Sequence, residues 1–443
     1  MGDTVEYALQ SLRELGSVSD MRAAAGRGVA PARRPRVNTH IHLPPNFSAF
    51  GSVRQAVELA AEQDVRVLGC GNYYNYDVYG EFAALARQRG IFPLFGTEII
   101  ALIDPLVKAG VKVNDPGNPG RIYACGKGIT RIAPMSAEAQ RLIGVIRCND
   151  RQRMATMISK LEAIFAERGL PTGLTEDAVI DMVVRRHECP RDRVYLQERH
   201  VCQAFQEAVS AKVPAGQRVE KLANVLGTLT PALSQGEREK PASERENPVK
   251  IQNQIRSRLM KAGKPAFVEE KFLSFEEACR LILELGGIPC YPTLADGTSP
   301  ICPYEDPVDK LIENIKGNGI HCAEFIPIRN RPEVLSRYVK AMRAAGLAIT
   351  AGTEHNTLDL LPIEPACVGG APVPDDVKEI FWEGACVVAA HKFLTLHGQC
   401  GFVDSQGRPN PEYKDDEARI RAFAQFGAAV METYFRTTNR SHR

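Results

Sequence analysis

Between residues 36 and 357 the chain alternates short apolar runs with amphipathic stretches. The apolar runs occupy 37–42, 65–70, 91–100, 121–125, 286–294, 319–327 and 348–353. Most are rich in β-branched residues and bounded by Gly or Pro, the pattern of buried strands. Stretches 52–63, 81–89, 275–285 and 332–345 instead repeat apolar residues at three and four, the pattern of helices lying on a core. Strand–helix alternation of this kind predicts an α/β fold with a parallel sheet, open or closed into a TIM-like barrel. Residues 1–35 read as a helical lead-in, and 36–132 with 274–400 as the barrel. Residues 401–443 form a C-terminal helical extension. The span 133–273 breaks the alternation and predicts a helical insertion. Within it, about 230–248 (TPALSQGEREKPASERENP) is too polar to offset its ordering entropy, so a disordered linker is expected there.

Composition narrows the function classes. The 443 residues carry a net charge of +2, with 44% hydrophobic and 24% charged residues. That balance suits a globular core and argues against a dominant nucleic-acid surface. No apolar run is long enough to span a bilayer, and the N-terminal stretch lacks the pattern of a secretory signal. Twelve cysteines occur singly, without a C-x-x-C pair. They read as reduced thiols of a cytoplasmic protein, with Cys125, Cys290 and Cys322 acting as small hydrophobes inside strands.

Candidate chemistry clusters at the predicted strand ends. His40 and His42 close the first run in VNTHIH, and residues two apart on a strand share a face. Two imidazoles there can meet one cation, whether manganese, zinc or iron; the plain alternative is two polar residues at a strand terminus. Glu98 ends the third run among apolar neighbours, where a carboxylate is costly unless a cation or donor meets it. Glu354 and His355 follow the last run in AGTEHNT, where a barrel places its catalytic groups. A polar loop is the plain alternative. In GIHCAEFIP, His321 and Glu324 are three apart, so only one can face inward. Arg329 offers a bidentate fork to phosphate, the alternative being a solvated surface side chain.

The succession His40–His42, Gly96–Glu98, Gly286–Pro292 and Gly352–Asn356 resembles the motif order of the PHP (polymerase and histidinol phosphatase) family. The run 198–204 (ERHVCQA) also resembles a helix in the inserted subdomain of that family's nucleotide-phosphatase branch. The resemblance implies a distorted seven-stranded barrel and a metal-dependent hydrolase that acts on a phosphoester or similar small polar substrate through a metal-bound hydroxide. It implies His40, His42 and Glu98 as ligands of a divalent transition metal (manganese, zinc or iron), with Glu354, or else His355, completing the set; His355 is the candidate catalytic acid because an imidazole changes its charge near neutral pH. Several imidazoles usual in the family are missing. The second strand is followed by GNYYNY without a His, Tyr123 and Tyr291 stand where His is usual, and Asn356 replaces a terminal His. Tyr123 and Tyr291, with Arg329, are therefore expected to line a substrate pocket. The losses keep two other readings open: a catalytically silent barrel that binds a ligand or protein, and a sugar isomerase or lyase whose tyrosines move protons.

Overall fold

The protein is described by a computed structural model covering residues 4–227 and 247–440. The segment expected to be disordered lies outside the described residues except at its end, where Pro248 opens helix Pro248–Ile255.

Eight strands form one sheet: β1 (Arg36–Ile41), β2 (Val65–Cys70), β3 (Phe92–Leu102), β4 (Arg121–Lys127), β5 (Leu273–Ser274), β6 (Ile288–Thr293), β7 (Cys322–Phe325) and β8 (Ala348–Ala351). Their order is β1-β2-β3-β4-β6-β7-β8, with the short β5 pairing β3 off that path. The two ends nearly close. Ile41 bridges Glu354 in parallel, and the backbone N–H of His42 donates to Glu354 O at 2.8 Å while that of Thr353 donates to His40 O at 3.0 Å. The result is a mixed α/β fold with a barrel-like sheet, consistent with a TIM-like barrel.

One strand departs from the expected parallel pattern. β4 runs antiparallel to both β3 and β6. Between β3 and β4 the chain makes only the five-residue helix Asp104–Lys108, so the longer crossover helix that usually joins parallel strands is missing there.

Register then decides which side chains meet inside. Glu98 pairs Cys125, Cys125 pairs Cys290, and Cys290 pairs Cys322 across β3, β4, β6 and β7. With the two-residue period of a strand, Lys127 and Glu324 share that inner face. The three thiols are buried and free, as a small-hydrophobe role requires.

Helices Val53–Glu62, Tyr79–Gln88, Phe275–Glu284, Val308–Gly317 and Pro332–Ala344 cover the sheet. Ser52 and Ser274 cap two of them, the latter through a reciprocal box with Glu277, a device worth about 1 kcal/mol. Between β4 and β5 lie helices Ala137–Glu167, Glu176–His187, Glu198–Lys212, Arg218–Val225 and Pro248–Ile255. They carry a second apolar cluster, including Met157, Phe165, Val183, Phe205 and Ile255. The long helix Ala137–Glu167 serves both clusters: Leu142, Ile143 and Ile146 join the barrel core, and Met154 to Phe165 join the second. No helix among the described residues is long and apolar enough to cross a membrane.

Candidate metal centre

β1 carries His40 to the barrel mouth, and His42 follows it. Glycines let the neighbouring backbone come close: a Cβ on Gly71 would lie 2.6 Å from the His40 ring, and one on Gly352 would lie 2.3 Å from His40 Cβ. His40 is therefore fixed by its packing. Its Nδ1 meets Glu324 Oε2 at 2.7 Å. Glu324 also accepts from Thr39 Oγ1 at 3.0 Å and pairs closely with Lys127. All four side chains are buried.

This arrangement orients His40. A carboxylate at Nδ1 favours the tautomer that carries its proton there and leaves the Nε2 lone pair free. Nε2 lies 3.3 Å from Glu98 Oε2, and His42 Nε2 lies at the same distance from that oxygen. None of these three atoms has a hydrogen-bond partner among the described residues, although each is buried. Unpaired polar atoms are costly in a protein interior and ask for a reason. The other Glu98 oxygen is taken by the Tyr73 hydroxyl, and the Tyr73 ring stacks on His42 with centroids 5.1 Å apart.

Charge distribution follows from these contacts. Burial works against the Glu98 charge, but the imidazoles of His40 and His42, each 3.3 Å from Oε2, outweigh it and hold the carboxyl well below its usual range. Burial also opposes the Glu324 charge, yet Lys127 and then His40 bring its pKa down to about 2. Burial would likewise lower the His40 pKa; Glu324 overcomes it and raises the value well above normal. The convergent geometry (His40, His42 and Glu98, with ligand atoms within 4.8 Å of one another) fits a divalent ion. An imidazole–imidazole–carboxylate set suits manganese, zinc or iron. A second group, His40, Cys125 and Glu324, is equally close, but the Glu324 carboxylate is already neutralised by the Lys127 ammonium, which supplies the positive charge there.

The remaining sequence candidates are placed differently. Glu354 is not in the convergent group; its carboxylate forms a two-pronged pair with Arg329, whose Nη1 stands 3.0 Å from Oε1. His355 spends both ring nitrogens on the loop, Nδ1 with Thr353 Oγ1 at 2.8 Å and Nε2 with Leu361 O at 2.9 Å, and packs on Phe50. Glu354 and His355 have φ of 57° and 53°, left-handed values that turn the backbone sharply at the mouth. Tyr123 lines the cavity over the cluster. Tyr291 does not: the β6 alternation turns Cys290 and Pro292 inward and sends Tyr291 outward, where its hydroxyl donates to Glu305 at 2.8 Å. Of the pair three apart, Glu324 is the inward one, while His321 lies toward Arg419 and Asp416.

Lys127 had no signal in the sequence, since a lysine after glycine reads as the end of a strand. The Tyr73 contact with Glu98 was equally hidden in a tyrosine-rich loop. Glu324 left a trace: a lone carboxylate inside the apolar run CAEF.

Above the cluster opens a cavity of about 630 Å³, walled by the barrel mouth on one side and by the helices between β4 and β5 on the other. Glu98, Tyr123, Arg329 and Glu354 belong to the first wall, and Arg153, Glu198, Arg199 and Arg256 to the second.

No protein-family model and no curated protein matches the chain. Two solved structures superpose on most of it. One is a candidate metal-dependent phosphoesterase from Bifidobacterium adolescentis, 16% identical with a TM-score of 0.48, aligned over 79% of this chain and 96% of its own. The other is an amidohydrolase from Chromobacterium violaceum with bound sulfate and no metal, 17% identical with a TM-score of 0.47, aligned over 78% and 96%. At such distances the chemistry of this chain rests on its own site.

Proposed function

We propose that the chain is a metal-dependent hydrolase on a (βα)7 barrel of the PHP type, acting on a phosphoester or a similar small polar substrate. The observation that carries this reading is the convergence of His40 Nε2, His42 Nε2 and Glu98 Oε2, buried and otherwise unpartnered, with Glu98 lining a substrate-sized cavity. A divalent ion held by these residues supplies Lewis acidity to a phosphoryl or acyl oxygen and lowers the pKa of a water.

The protein side chains do the rest. Glu324 holds the His40 tautomer, Lys127 keeps Glu324 charged, and the Tyr73 hydroxyl fixes the Glu98 carboxylate so that Oε2 faces the imidazoles. Arg329, steered by Glu354, presents guanidinium hydrogens at the cavity wall for the oxygens of the reacting group. Tyr73 and Tyr123 shield the floor from bulk water. Glu354 acts here through Arg329, and His355 by holding the loop.

The test is elemental analysis of the purified protein by plasma mass spectrometry beside a His40→Ala/His42→Ala variant, with circular dichroism as the check on folding. The expected result is about one manganese, zinc or iron per wild-type chain, none in the folded variant, and phosphoester hydrolysis by the wild type alone. If both proteins stay metal-free after incubation with each of these ions, the hydrolase reading fails and the barrel is a binding module.

A further inference from the structure

The cavity wall opposite the metal cluster carries more positive than negative charge. Glu198, the first residue of helix Glu198–Lys212, is shared by three cations: Arg153 at Oε1, and Arg256 Nε and Lys261 Nζ at 2.7 and 3.3 Å from Oε2. Arg153 also shares Glu270 with Arg121, which in turn meets Asp115 at 3.2 Å. Arg199 adds a fifth cation. Its one hydrogen bond is a long one to Asn253 Oδ1 at 3.5 Å, and no carboxylate pairs with it among the described residues. Counting Arg121 and Asp115 at the barrel edge of this wall, five cations thus face three carboxylates, and the balance stays positive when Asp150, engaged by the Tyr195 hydroxyl, is counted as a fourth.

Such an excess is expensive in a partly desolvated cavity. Burial, and then the neighbouring Arg256, lowers the Arg199 pKa; the same order of causes, with Glu198 opposing, holds for Lys261. Arg199, which no carboxylate pairs among the described residues, and Arg256 and Lys261, which share the one carboxylate of Glu198, are matched by an incoming oxyanion, which guanidinium groups bind in fork geometry. Arg199 also lies in the first turn of a 15-residue helix, whose N-terminal field has the same sign. Tyr74, Tyr123 and Tyr195 also line the cavity, which suits an apolar or planar spacer.

We infer that the cavity has two anion-reading ends: the substrate presents its reacting group to the His40–His42–Glu98 cluster and carries a second oxyanion, a carboxylate or a phosphate, held by Arg199, Arg256 and Lys261. The inference rests on the proposed reading of the cluster as the reacting end. It restricts the substrate class to elongated small molecules with an anion at each end.

Calorimetry on the manganese-loaded full chain tests it with non-hydrolysable phosphonates in matched pairs. Each pair sets an alkyl- or phenylphosphonate against the same skeleton ending in a carboxylate or a second phosphonate, over a series of spacer lengths. At the best length the second anion should tighten binding by at least about tenfold. The carboxylate and phosphonate arms then tell which oxyanion the wall prefers. Arg199→Gln should cut that advantage to less than about threefold, and Arg199→Lys should keep only part of it, because an ammonium restores the charge but not the fork. Metal content, measured on the same samples, should not change. A wild type without metal speaks against the hydrolase reading. Equal binding within every pair, no binding at any length, or an advantage that survives Arg199→Gln overturns the second subsite.

Discussion

His40 is held from three sides. Glu324 takes its Nδ1, Gly71 and Gly352 leave no room for it to swing, and Lys127 keeps Glu324 charged. Removing the orienting carboxylate separates two effects. Glu324→Gln should weaken metal binding by about 10–100-fold, the usual cost of losing such a partner. It should also destabilise the fold by about 3 kcal/mol, because Lys127 is left buried without its counter-ion. Adding Lys127→Met should restore much of that stability but none of the metal affinity. Denaturant titration and competition with a chelator read the two quantities independently. If the double variant recovers metal affinity as well, Glu324 acts only through the fold. At this scale the sequence showed His40, His42 and Glu98 because their types and spacing are local. It did not show Lys127, whose partner stands 197 positions away.

At the scale of elements, the strands and helices of the barrel were legible because their periodicity is set by burial on one side. The direction of β4 was not, since strand polarity depends on how the connecting chain returns. Helix packing was equally hidden. Helices Asp375–Leu396 and Asp416–Arg440 cross closely, the first also packs on β8, and a glycine makes each of the two approaches. A Cβ on Gly427 would lie 1.9 Å from Cys386 O, and one on Gly384 would lie 1.9 Å from Ile349 O. Gly427→Ala must therefore push the helices apart. It should destabilise by at least about 1–3 kcal/mol, as overpacking does, despite the gain in helix propensity that alanine brings. An unchanged melting temperature would mean that the two helices part at little cost.

For the molecule as a whole, two buried ionisable groups that do not line the cavity set a pH dependence. Lys392 donates to Pro93 O at 3.0 Å with its ammonium 3.7 Å from the centre of the Phe95 ring, and burial lowers its pKa to about 7. The unfolded chain binds that proton more tightly, so stability falls as pH drops from about 10.5 towards 7. Glu305 accepts from Tyr291 and from the backbone N–H groups of Leu294 and Ala295, yet burial raises its pKa to about 7. Here the folded state binds the proton more tightly, and stability falls as pH rises from about 4.5 towards 7. The two contributions are both at their weakest near neutrality. Urea titrations between pH 7 and 8, below the range in which the buried cysteines titrate in the unfolded chain, should show the wild type growing more stable with pH. Lys392→Met should be more stable at pH 7, by a few kcal/mol, and flatter across that window. A parallel slope in the variant would assign the dependence to another group.

What the sequence determined by itself is whatever depends on neighbours along the chain. That includes the alternation of strands and helices, the caps that start them, and the presence of His40, His42 and Glu98 at strand ends. What tertiary structure alone decided depends on register and on distant partners. It turned Tyr291 outward and Glu324 inward, joined Glu354 to Arg329, engaged both nitrogens of His355, and set Lys127 beside Glu324. A one-residue step along a strand reverses the face a side chain points to. A buried charge is stable only beside a partner that the fold, not the local sequence, brings to it.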